Sequence, residues 1–296
     1  MFWKAHLGTA LSILNERSID VEYLNSIPPP LGILQLERRR KQMETKNKPL
    51  CVAVSSGGMD STTTVLWQLQ QGYRVILLHF NYGQLAELAE EERIERIAHL
   101  LNLEHIIWDI RDLGKLGKSP LTDPTLKLPE GFASVMGLGC WVPSRNVVFL
   151  SIASAIAESM GGGVITLGGE SSESFYKDNT AEFADLFTRM LELGSLKPVR
   201  VEFPLANWTK IDEIQWGYKN GYEEVYSLTW SCDRSLKNER GEFAPCGRCG
   251  CCNSRRFAYY RLGFRDPQVY LDDGYFFDIF LPEYERRKGE VSFKYE

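Results

Sequence analysis

The feature that most constrains this chain is an apolar run that empties into glycine. Leu50-Cys51-Val52-Ala53-Val54 leads straight into Ser55-Ser56-Gly57-Gly58-Met59-Asp60-Ser61. A short continuous apolar run bounded by turn residues reads as a strand buried on both faces. From Asp60 onward Val65, Leu66 and Leu69 share one helical face, and Gly72 is a stop signal. Strand, tight turn and helix start together make an anion site. Free backbone amides and the positive end of the helix dipole face the turn. Gly57 and Gly58 permit positive φ and leave room for oxygens. Ser55, Ser56, Ser61 and Thr62 add hydroxyls, with Met59 among them. Asp60 is out of place beside a bare anion. It makes sense if it orients the loop or helps hold Mg²⁺ beside a phosphate chain. Neither a Walker Gly-Lys-Ser ending nor G-x-G-x-x-G is present.

The alternation continues. Strand patterns at 73–80, 104–110, 163–168 and 197–204 alternate with helical patterns at 84–102, 144–161, 179–194 and 209–221. In the helix over 84–102, Leu85, Leu88, Ile94, Ile97, Ala98 and Leu101 are expected on one side, and Glu92 pairs with Arg96. Such alternation predicts an α/β fold, a doubly wound parallel sheet covered by helices on both faces. Residues 111–143 are rich in Gly and Pro and read as irregular. Three regions are expected: an N-terminal extension over 1–48, an anion-binding α/β domain over 49–225, and a cysteine-bearing C-terminal region with a tail over 226–296. The chain has 296 residues, 44% hydrophobic and 25% charged, ordinary for a soluble protein. It shows no signal peptide and no apolar run near the roughly 20 residues of a membrane helix. The cytoplasm is therefore expected, with no membrane partner. The net charge of −5 does not advertise nucleic acid. Basic residues crowd 38–48 and, as Arg234, Lys237, Arg240, Arg248, Arg255 and Arg256, the late cysteines; the plain reading is solvated surface.

Of seven cysteines, five fall between Cys232 and Cys252. In a cytosolic chain that density reads as a metal site before a disulfide framework. Cys232-x13-Cys246-x2-Cys249-x2-Cys252 offers four thiolates to one tetrahedral Zn²⁺, with Gly247 and Gly250 relaxing the turn. Arg248, Arg255 and Arg256 are expected to offset its negative charge. Cys251 breaks the spacing and is excluded. An iron–sulfur cluster stays open as the rival. Arg145 and Asn146, at a helix start after Pro143, are placed to reach a phosphate or carboxylate. Asp178 and Glu182 stand four apart, on one helix face. His79 is expected to pack rather than act as a base. The aromatic and acidic stretch 270–285 packs on the core or at a dimer interface.

Ser-Gly-Gly-x-Asp-Ser after a strand resembles the PP-loop of the ATP pyrophosphatases. "NYGQ" (81–84), "SPLTD" (119–123), "WVPSRNVVFLSIASAIAE" (141–158), "SLTWSCDRS" (227–235) and "PCGRCGCCNSRRFAYYRLG" (245–263) follow in order. Together they resemble the 7-cyano-7-deazaguanine synthase family over about residues 50–265. The resemblance implies an adenine nucleotide alpha hydrolase-like fold and a ligase using ATP, Mg²⁺ and Zn²⁺. ATP would adenylate the carboxylate of 7-carboxy-7-deazaguanine, ammonia would displace AMP, and a second ATP would turn the amide into a nitrile. It implies that Ser55, Ser56, Gly57, Gly58, Met59, Asp60, Ser61 and Thr62 hold the nucleotide. Asp60, Ser61 and Arg145 would be catalytic. Tyr82, Gln84, Arg145, Asn146, Tyr176, Asp178 and Glu182 would meet the deazapurine, with Asp178 and Glu182 reading its guanine-like edge. A homodimer is expected. The chain departs from the family where Leu85-Ala86 replaces Arg-His after Gln84, and at Lys177, Asn179 and Thr180. These departures leave open a relative that joins the deazaguanine to a protein or nucleic-acid amine. A PP-loop tRNA thiolase and a zinc-ribbon nucleotide sensor that binds nucleic acid are the other readings.

Overall fold

The structure, a computed structural model, describes residues 48–131, 139–169 and 176–287. The expected extension up to residue 47, with its basic run, and the tail from 288 lie outside the described residues. Chain contacts divide the protein at Asn47/Lys48, and the described residues belong to the unit from Lys48.

Five strands and the helices between them appear in the order that the periodicity predicts. They are β1 (Leu50–Val54), α1 (Met59–Gln70), β2 (Arg74–Asn81), α2 (Glu87–Leu101) and β3 (Glu104–Asp109). Then come α3 (Arg145–Ser159), β4 (Gly163–Leu167), α4 (Ala181–Gly194), β5 (Val199–Glu202), α5 (Lys210–Lys219) and α6 (Glu223–Leu228). The C-terminal region adds α7 (Gly250–Arg261), a π turn over Phe276–Phe280 and α8 (Leu281–Arg287). The sheet order is β3-β2-β1-β4-β5, with every pairing parallel.

Side-chain alternation along the strands builds two cores. Leu50, Val52, Val54, Ile76, Leu78, Phe80, Ile165 and Val201 face α3 and α4, where Phe149, Leu150, Ala153 and Phe187 meet them. Cys51, Ala53, Val75, Leu77 and Val164 face the other way, onto Val65, Leu66, Ile97, Ala98 and Tyr226. Both faces are therefore covered, which is why β1 reads as an unbroken apolar run. Burying a Leu or Ile side chain here contributes about 1.5–3 kcal/mol. β3 is an edge strand and mostly exposed, and its Glu104, His105 and Asp109 suit that position.

Two expectations change. Leu88 is not on the buried face of α2: it is 60% exposed, and Ala89, Arg93, Ile94, Ile97 and Ala98 are buried instead. The helix starts at Glu87, so Leu85 precedes it, and its phase is set by Ala89, Arg93 and Ile97 at four-residue spacing. Arg93 is buried because its guanidinium lies over the Trp230 ring, 5.5 Å from the centroid. Leu88→Ala should therefore change stability by no more than about 0.5 kcal/mol in urea unfolding. The expected Glu92–Arg96 pair does form, at 3.3 Å.

The second change concerns the late arginines. Arg255 is buried against Asp266 (3.0 Å) and donates to Thr229 Oγ1 (2.6 Å). Arg256 is buried over the Tyr270 and Phe276 rings and pairs with Asp273. Arg248 pairs with Asp272. Arg255 and Arg256 are therefore buried and lock the C-terminal region rather than forming solvated surface, whereas Lys237, Arg240 and Arg248 are exposed as expected. In the stretch 270–285, Phe276, Phe280 and Tyr284 are buried around Phe257, whereas Phe277 is 53% exposed.

Candidate active site and cysteine centre

β1 and β4 are neighbours, yet their connections run to opposite sides of the sheet. That is the switch point of a doubly wound sheet, where ligands bind beyond the strand C-termini. A cavity of about 210 Å³ lies there. Its lining includes Val54 at the end of β1 with Ser55 and Ser56 after it, His79 and Phe80 at the end of β2, and Leu167 at the end of β4 with Gly168 after it.

The loop after β1 is held by its own hydroxyls. Ser55 Oγ accepts from Gly57 N (3.2 Å) and donates to Ser61 Oγ (3.1 Å). Ser56 Oγ accepts from Gly58 N (3.2 Å), and Ser61 Oγ donates to Gly58 O (3.2 Å). Gly57 has φ +72°, and a Cβ there would come within 3.1 Å of Arg93 Cβ. Gly58 has an ordinary negative φ and caps α1. The loop is tied to the C-terminal region where Trp230 N donates to Gly57 O at 2.8 Å. Met59 is buried under α5 and α7, and Thr62 is buried with an unpartnered hydroxyl. Asp60 accepts from Lys210 Nζ at the start of α5, an ion pair that no sequence pattern signalled.

Opposite the loop stand Tyr82, Gln84, Arg145 and Asn146, all lining the cavity. Arg145 donates to the Tyr82 hydroxyl (3.2 Å) and lies over its ring. Burial pushes the Tyr82 phenol up to about 12, against the pull of Arg145. Gln84 is fully committed. Its Oε1 accepts from Tyr82 N (2.8 Å), and its Nε2 donates to Phe80 O (3.0 Å) and Glu90 Oε2 (2.9 Å). Asn146 Nδ2 donates to Asp178 O (3.0 Å), and its backbone N donates to the Asp178 carboxylate (3.4 Å). Burial raises the Asp178 pKa, opposed by the Asn146 amide.

Not every expected residue meets the cavity. Asp178 touches the wall through Asn146. It precedes α4, so it does not share a helix face with Glu182, which is exposed. Tyr176 stacks on Trp141, 5.6 Å between centroids. Thr180 accepts from Phe183 N as the cap of α4 (3.1 Å), which accounts for that departure from the family pattern. Glu90, Asp233 and His79 do line the cavity. Burial raises the pKa of Glu90, countered by His79, Gln84 and Arg145. Sequence reading passed over Glu90 as one of several acids on an amphipathic helix. The one available signal was its position one helical turn before the buried Arg93.

The four cysteines converge as their spacing predicts. Cys232, Cys246, Cys249 and Cys252 are buried, with sulfurs all within 4.8 Å of one another. Cys246 and Cys252 Sγ stand 3.9 Å apart. A Zn–S bond of about 2.3 Å in a tetrahedron needs sulfurs about 3.8 Å apart, so the set fits a single ion. Backbone amides of Cys246, Arg248 and Cys249 donate to sulfurs at 3.3–3.4 Å. The Cys246 thiol is held well below its ordinary range by hydrogen bonds from Cys232, Cys249 and Cys252. Cys251 is outside the cluster.

The family profile described as "Queuosine biosynthesis protein QueC" matches residues 50–263. The chain belongs to this family. Among its relatives is a 7-cyano-7-deazaguanine synthase of Methanocaldococcus jannaschii, 34% identical over 235 residues, 75% of this chain and 99% of the relative. The 7-cyano-7-deazaguanine synthase of Sulfolobus acidocaldarius is 34% identical over 240 residues, 79% of this chain and 50% of the relative. The 7-cyano-7-deazaguanine synthase 2 of Sulfurisphaera tokodaii is 34% identical over 282 residues, 91% of this chain and 60% of the relative. The chain thus spans about half the length of the Sulfolobus relative and nearly all of the Methanocaldococcus one. Membership in the QueC family does not favour the thiolase or nucleic-acid-sensor readings. Among the described residues, no helix is long and apolar enough to cross a membrane.

Proposed function

We propose that this chain is a 7-cyano-7-deazaguanine synthase, an ATP-dependent ligase that converts 7-carboxy-7-deazaguanine and ammonia to the nitrile through an amide. The observation that carries the reading is the cavity at the switch point, with the serine-glycine loop on one wall and Arg145 on the other. Adenylation turns the carboxylate oxygen into a good leaving group. The loop amides at the start of α1 hold the phosphates, and charge developing on pyrophosphate meets donors already in place. Arg145, steadied by Tyr82, orients the substrate carboxylate. Mg²⁺ bound with ATP would shield the phosphates, with Asp60 as its protein neighbour and Lys210 fixing that carboxylate. Zn²⁺ in the four-cysteine centre would be structural, with every coordination position taken by sulfur. The reaction suits the cytoplasm, where cysteines stay reduced; none of the seven here is in a disulfide.

Supplying 7-carboxy-7-deazaguanine and ATP, with and without ammonia, tests the reading. AMP and pyrophosphate should appear, and mass spectrometry should find the free nitrile only when ammonia is present. Adenylate that stalls with ammonia present would sink it. Of the departures, Ala86 lines the cavity, whereas Leu85 donates its amide to Leu121 O. Asp60→Asn keeps the shape of the loop and removes its charge. AMP release should fall roughly 10- to 100-fold, the worth of one charged hydrogen bond. Full activity in that variant would take Asp60 out of the chemistry.

A further inference from the structure

The cavity contains two acceptors that the protein leaves unanswered. Glu90 uses Oε2 to accept from Gln84, and among the described residues nothing donates to its Oε1. His79, 1% exposed, has its Nδ1 3.0 Å from the Ser55 carbonyl, which can only accept, so Nδ1 carries the proton. Nε2 of that ring is buried without a partner. In the neutral imidazole it is an acceptor. A buried polar atom without a partner, as Nε2 of His79 is, is costly, and at a cavity wall it marks where a ligand supplies a missing donor, while the open Glu90 Oε1 beside it is a second acceptor for that ligand. Tyr82 and Gln84, by contrast, are committed to Arg145 and to backbone. Asp233, the other carboxylate of the wall, directly follows Cys232 of the four-cysteine centre in sequence.

We propose that Glu90 is the residue that selects the base, its carboxylate accepting from the adjacent ring N–H and exocyclic 2-amino group of a 2-amino-4-oxo pyrimidine ring. This rests on the synthase reading above and names the specificity residue for its substrate. A carboxylate offers two coplanar acceptors, and that edge of a guanine-like ring offers two coplanar donors. Gln84 fixes the carboxylate: its own amide is anchored by Tyr82 N and Phe80 O, so Glu90 Oε2 is held where Nε2 points. The role replaces the one expected of Asp178 and Glu182, since the first faces the backbone of α3 and the second faces solvent.

The test compares 7-carboxy-7-deazaguanine with its analogue lacking the 2-amino group, in wild type and in Glu90→Gln. The isosteric amide can still accept from Gln84, so the wall is kept. In wild type, kcat/KM for AMP release should favour the 2-amino substrate by roughly 10- to 100-fold, the worth of a hydrogen bond to a charged group. In Glu90→Gln that preference should collapse to near unity through KM, with the KM for ATP unchanged. Retained preference in the variant overturns the proposal. So does a rise in the KM for ATP alone, which would assign Glu90 to the adenine ring. If wild type releases no AMP with either compound, the synthase reading itself has failed. Matching circular dichroism spectra and melting curves establish that the variant is folded.

Discussion

Gly168→Ala should cut AMP release on the order of 100-fold, although the added group is one methyl. Gly168 follows β4 and lines the cavity across from the loop. A Cβ built there would lie 2.3 Å from Ser61 Cα, 2.5 Å from Ser61 N and 2.9 Å from the Asp60 carbonyl carbon. These are backbone atoms of the first turn of α1, so no rotamer change relieves the clash. Either β4 or the loop must move by about an ångström, and misplacement on that scale costs roughly 100-fold in rate where the chemistry depends on position. Overpacking adds about 1–3 kcal/mol of lost stability. Gly194→Ala is the control, because a Cβ there meets nothing within 4 Å. Steady-state AMP release with both variants, each shown to be folded, checks the prediction. Equal activity in the two would mean that close approach of β4 to the loop does not matter.

Cys249→Ser should remove the metal and with it the order of the C-terminal region. Cys249 is 2% exposed, it caps α7, and its amide donates to Cys246 Sγ at 3.3 Å. A serine hydroxyl is a poor ligand for a soft tetrahedral site, and structural zinc contributes about 10–16 kcal/mol of folding free energy. The loss spreads to the active site, because Trp230 beside this centre holds Gly57 O and carries Arg93 over its ring. Elemental analysis should find one zinc per chain in wild type and far less than one in the variant. The variant's melting transition should be lower and broader. Cys251→Ser, outside the cluster, should keep the metal. Iron with visible absorption in the native protein would replace zinc by an iron–sulfur centre.

The secondary structure of the sheet was legible because its code is local. β1 shows a buried run, Gly57 a turn and Val65-Leu66-Leu69 a helix face within some twenty consecutive residues. The same holds for the cysteines. The spacing of Cys246, Cys249 and Cys252 restricts their sulfurs to one turn, and Cys232 had one cluster to join. The cavity wall opposite the loop was read less well. Arg145, Asn146, Tyr82 and Gln84 do line the cavity, but Glu182 points away. Four-residue spacing places two acids on one face only where both are helical, and Asp178 precedes the helix. Leu88 failed for a related reason: three of its neighbours in α2 share a better-matched buried stripe.

Sequence by itself determined the strand order along the chain, the serine-glycine loop and the four-sulfur centre, because each depends on residues close together or on a spacing that restricts them. The tertiary structure decided whatever depends on distant elements meeting. Lys210 reaches Asp60 across 150 residues, Trp230 holds the loop from across the fold, and Gly168 is a glycine because α1 begins against it. It also decided that Arg255 is in a buried ion pair with Asp266, and that Arg256 is buried over aromatic rings, rather than both being surface charge. An isolated arginine is read as solvated because burying its charge alone is costly, and only the fold brings up the aspartate that makes the burial tolerable.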